Sequence, residues 1–127
     1  MTLHLTYTIV LLFTLQTVWS QDTITYDKDK ISIETELNFA FTDKRGIESK
    51  NGTIYFVEKD KKTLTAYENG KVKWKTNIIE ICGQPTVGLP EIRYLRLCHD
   101  KLKVVFGKHS FAEVDINNGK TTYLGSD

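Results

Sequence analysis

Beyond its first twenty residues this chain is short of nearly everything that marks a catalytic site or a helical bundle. Its 127 residues include two cysteines, two prolines, one methionine and eight glycines. The glycines sit singly at turns, so no glycine-rich cradle for a phosphate is present. No Cys-x₂₋₄-Cys pair occurs, whereas tetrahedral zinc sites usually draw two ligands from one turn; the close pair here is the adjacent Cys98-His99. Ser32, Ser49, Ser110 and Ser126 lack any local nucleophile motif. An excess of one charge is missing too. Seventeen basic and sixteen acidic residues are interspersed to a net charge of +1, which argues against a nucleic-acid footprint or a membrane-binding basic field. After Gln21 no segment sustains a helical period. Together these absences point away from an enzyme, a cofactor and a metal.

The one long apolar run lies at the start. Leu3 to Trp19 carries no formal charge, and its core Ile9-Val10-Leu11-Leu12-Phe13 leads to Val18-Trp19-Ser20 before Gln21. A short apolar region closed by a small residue reads as an export signal over residues 1–20, cleaved after Ser20, and places the protein in a secreted or periplasmic setting. The basic start usual in such signals is absent. The alternative is an uncleaved anchor over residues 3–19, at the lower limit of length for a bilayer and interrupted by Thr6, Thr8, Thr14, Gln16 and Thr17. Membrane contact is expected only in that second case. Residues 21–127 then form one small domain.

In that domain alternation of apolar and polar residues replaces the apolar block. Thr23-Ile24-Thr25-Tyr26 and Ile31-Ser32-Ile33-Glu34 flank Asp27-Lys28-Asp29-Lys30 as a hairpin would, and Leu37, Phe39 and Phe41 continue the period of two. Thr53 to Val57 and Thr63 to Tyr67 read as strands about a charged tip. Asn69-Gly70 predicts a type I′ turn, whose two central residues need positive φ. The strand after it sets Val72 and Trp74 against Lys71, Lys73 and Lys75. Gly83 to Pro90 holds both prolines and cannot be a central strand. Ile92 to Cys98, Leu102 to Phe106, Phe111 to Ile116 and Thr121 to Leu124 follow as strands. The expected fold is all-β, an antiparallel meander of about ten short strands.

The meander repeats. Asn69-Gly70-Lys71-Val72-Lys73-Trp74 and Asn118-Gly119-Lys120-Thr121-Thr122-Tyr123 place an aromatic at the same offset after the same turn, 49 residues apart. The units fall near residues 50–82 and 91–125, with Gly70, Trp74, Gly119 and Tyr123 as their structural anchors. Neither unit alone can bury its apolar face. Trp74 is therefore expected to be buried between units.

Gly52 to Val57, then Leu64-Thr65-Ala66-Tyr67-Glu68, then Gly70-Lys71-Val72-Lys73-Trp74 resembles the blade pattern of pyrroloquinoline-quinone-type β-propeller repeats. Lys101 to Tyr123 is a looser second copy, with Tyr in place of Trp. The resemblance covers at most half to two-thirds of residues 21–127 and implies a blade-like scaffold used for protein contacts. It does not imply the cofactor, because no quinone-binding motif is present. A closed propeller takes four to eight blades and this length allows about two, so the units are expected to form a partial propeller or a small sandwich.

Cys82 and Cys98 each end an apolar, strand-like run, so a disulfide between them is expected if the chain is exported, with two buried thiols as the alternative. The functional expectation is a non-catalytic exported module that binds another protein, or itself, through exposed sheet edges. The alternative is a small metal-binding protein or enzyme using Cys98, His99 and His109.

Overall fold

A computed structural model describes residues 26–127. The export signal or anchor at 1–20 and the first strand expected from Thr23 lie outside those residues, save for Tyr26. Among the described residues no helix is long and apolar enough to cross a membrane.

Among the described residues the protein is mostly β, with ten strands in two five-stranded sheets and one short helix. The first sheet has the order β1 (Ile31–Ser32), β3 (Gly46–Glu48), β4 (Ile54–Val57), β5 (Thr63–Glu68), β6 (Lys71–Asn77). The second runs β10 (Thr121–Ser126), β9 (Ser110–Asp115), β8 (Lys101–Phe106), β7 (Ile92–Cys98), β2 (Glu36–Asn38). Each sheet is thus built on four consecutive antiparallel strands, β3 to β6 and β7 to β10, and each gains one short N-terminal strand at its edge.

Alternation dictates the core. Tyr55, Val57, Leu64, Ala66 and Trp74 project from one face of the first sheet; Leu95, Leu102, Val104, Ala112 and Val114 project from the second. All belong to a single buried cluster, so the sheets share one core rather than owning two. Slipping either sheet by one residue would turn these side chains to solvent, which pins the register.

The structure differs from the strand reading in four places. Asp27 to Lys30 is not a hairpin loop: Asp27 caps a 3₁₀ turn over Lys28–Lys30, and β1 then pairs parallel with β3. The strand expected to persist through Phe41 stops at Asn38, whose side chain accepts the Ala40 N–H at 3.1 Å and turns the chain. Ile78–Cys82, read as a strand, is the helix α1. Asn77 caps it by accepting the Glu80 N–H at 3.0 Å, and Gly83 ends it at φ 91°, its N–H bonded to the Ile79 carbonyl. Finally, Val72 does not share the buried face of Trp74. Ala66 opposes Trp74 but Tyr67 opposes Val72, so Lys73 is an extra residue, the strand bulges, and Val72 is left exposed.

Candidate functional site

Trp74 fills the seam between the units. Its indole is 7% exposed, its Nε1–H donates to the Ile116 carbonyl at 2.7 Å, and its ring lies 6.0 Å from that of Tyr55. The second unit meets it through Gly119. At φ 76°, a Cβ there would stand 2.7 Å from an indole carbon, so this turn needs glycine for both its backbone and its contact. Beside it the Thr76 and Thr121 hydroxyls share a hydrogen bond of 2.7 Å across the same seam.

Gly70 takes φ 75° after Asn69 at φ 54°, as a type I′ hairpin demands. Tyr123 occupies the place in the second unit that Trp74 holds in the first: Trp74 opposes Ala66 and Tyr123 opposes Ala112. It is 46% exposed, its ring 6.2 Å from Phe106 and its hydroxyl bonded to Ser126.

The expected disulfide is absent, for both cysteines are free thiols. The reason is the helix: α1 carries Cys82 to β10, β5 and β6, whereas Cys98 ends β7, three strand spacings from β10, or about 14 Å. A disulfide needs Cα atoms within about 7 Å. Burial pushes the Cys82 thiol up from its ordinary value. Nor does the structure assemble the alternative metal set. Cys98 and His99 lie at the β7–β8 turn and His109 at the β8–β9 turn, separated by the six residues of β8, about 20 Å. Among the described residues no group of three His, Cys, Asp or Glu side chains is placed to hold a metal ion.

Two further surfaces stand out. On the outer face of the first sheet, Tyr26 packs on Phe56 and Tyr67 with ring centroids 5.8 and 4.6 Å away. An open groove of about 960 Å³ runs over this face, with Lys30, Lys59 and Lys75 along it. Arg45 and Lys61 line it too, and both also line a smaller pocket of about 160 Å³ reached by Arg93 from the second sheet. The Arg45 guanidinium lies over the Phe39 ring at 4.6 Å. Burial pulls its pKa down, and the charge of Glu91 partly offsets that. The other surface is at the edge strands. Ile33 and Phe41 are each 87% exposed, on loops fixed by local bonds. Ser32 Oγ accepts the Glu34 N–H and Thr42 Oγ1 accepts the Lys44 N–H, both at 3.1 Å. Phe41 borders a groove of about 510 Å³ that also holds Glu36, itself bonded to the Tyr94 hydroxyl.

Arg45 stands in Asp43-Lys44-Arg45-Gly46 and Lys61 in the charged tip Glu58-Lys59-Asp60-Lys61-Lys62. Local sequence cannot distinguish a lysine at a solvated tip from one brought to another sheet. The alternation that ended at Phe41 did hold a signal, since an aromatic just past a turn residue has no strand face to occupy.

No family model, no curated protein and no solved structure matches this chain.

Proposed function

We propose that this chain is a non-catalytic β-domain, secreted or periplasmic, that serves as a protein-interaction or envelope scaffold module. The reading rests chiefly on Ile33 and Phe41. Each leaves 87% of its surface in water, and both sit on loops already ordered by side-chain to backbone hydrogen bonds. Isolated exposed apolar residues are ordinary on protein surfaces. Two held out by preordered turns beside a groove offer a partner anchors at little entropic cost. Blade-like units that use one face for each other leave the short N-terminal edge strands and their loops free for such contacts. Among the sheet edges, β10 is six residues long and free of charge, while β6 carries three lysines; a second copy or a partner strand would therefore pair along β10.

A pull-down from the native compartment tests the reading. Ile33→Ser/Phe41→Ser should melt within a degree or two of the wild type and lose the partner captured by the wild type. Retention of that partner by the double variant, or a turnover activity abolished by a single side-chain change, would overturn it.

A further inference from the structure

Three cations meet where the two sheets join, and two of them, Lys61 and Arg93, are placed by an irregularity of the backbone. Arg45 precedes β3, its N–H bonded to the Lys30 carbonyl and its carbonyl accepting from Val57. Lys61 takes the left-handed conformation at φ 61°, which a β-carbon disfavours, and its carbonyl accepts the Ile92 N–H at 2.7 Å. Arg93 is the extra residue of a bulge, between the pairs Ile92–Phe106 and Tyr94–Val105, so its side chain is re-aimed from the regular alternation of β7. All three line one pocket of about 160 Å³, room for a few waters or one compact anion.

The polar ledger of this pocket does not balance. Nη2 of Arg45 is buried and has no hydrogen-bond partner among the described residues. Glu91, the one carboxylate in the pocket, is 3.9 Å from Lys61 Nζ, too far for a strong hydrogen bond. Three positive charges and one negative leave a local charge of about +2. Buried donors are nearly always satisfied, and a guanidinium presents a fork shaped for two oxygens of one oxyanion.

We propose that Arg45, Lys61 and Arg93 form a binding site for a small doubly charged oxyanion of the phosphate class. Arg45 supplies the buried donor at the base of the pocket, and Lys61 and Arg93 close over the anion from its exposed rim. The Phe39 ring under the guanidinium holds it flat and keeps water from its far face. Such a site would tie the first sheet to the second through charge as Trp74 does through packing.

Inorganic phosphate is the probe. In titration calorimetry at constant ionic strength, balanced with chloride, the full chain should bind one phosphate, and its melting temperature should rise with phosphate concentration. Arg45→Gln and Arg93→Gln should each weaken binding by about tenfold or more, the loss expected for one charged hydrogen bond. Lys120→Gln, on the distant β9–β10 turn, should bind as the wild type does. Arg45→Met should abolish binding while raising the melting temperature in phosphate-free buffer, because it removes a buried donor without an acceptor. The proposal fails if phosphate stabilises no more than chloride does. It also fails if the Lys120 variant loses as much affinity as the Arg45 variant, which would mark diffuse surface charge.

Discussion

Trp74 and Tyr123 hold the same position in their respective units, each opposite an alanine of the preceding strand, yet Trp74 is 7% exposed and Tyr123 46%. The difference lies in what stands beyond each strand. Over Trp74 the second unit brings the Ile116 carbonyl and the Gly119 turn; around Tyr123 the contacts are Phe106 and Ser126, both of its own sheet. A repeat position therefore does not fix burial. It supplies an aromatic that becomes a core residue when a neighbouring unit covers it and remains half in water otherwise.

The comparison breaks most easily at its strong end. Trp74→Ala should cost about 3 to 5 kcal/mol, through the cavity it leaves and the unpaired Ile116 carbonyl, and denaturant melts would read it directly. Gly119→Ala comes next at about 2 to 4 kcal/mol, combining left-handed strain with overpacking against the indole. Gly125→Ala controls for strain alone. Its φ is 112° but nothing lies within 4 Å of an added Cβ, so about 1 kcal/mol is expected. Tyr123→Ala should cost about 1 kcal/mol, since only part of the ring leaves water. A loss there as large as at Trp74 would mean that the second unit has a covering neighbour of its own.

The smallest effect is a pH dependence in the first unit. Burial pushes the Asp60 carboxyl up, but the Thr63 hydroxyl, the Lys62 and Thr63 N–H groups and the Lys62 charge outweigh it and hold the group below its ordinary value of 3.8. A depressed folded value means that its contribution is fully present above that ordinary value and fades as pH falls through the folded one. Asp60→Asn should therefore be slightly less stable than the wild type at pH 7, with the gap closing as the pH falls below 3.8 and through the folded value. A gap that widened on acidification would remove Asp60 from the turn.

Where strands face one shared core, the sequence was readable. The all-β fold, the Asn69-Gly70 turn and the burial of Trp74 follow from alternation and turn chemistry, because both act over neighbouring residues. The apolar run Ile78 to Cys82 buries equally well as strand or helix, and the Asn77 and Gly83 caps decide for the helix. The expected disulfide fell with that strand. Val72 leaves the face of Trp74 because one extra residue at Lys73 inverts the alternation, and no local feature of the lysine row announces it. The candidate anion site was not legible at all. Arg45, Lys61 and Arg93 come from three separate turns and strands, and what unites them is the meeting of two sheets.

The two units form one body closed on Trp74, and the exchange of its indole N–H with solvent tests this most directly. Hydrogen exchange followed by NMR should find the Nε1 proton, bonded to Ile116 across the seam, protected nearly as well as the backbone amides of β5 and β8. Exchange at the rate of an exposed indole, with those amides still protected, would show two sheets folded without the seam.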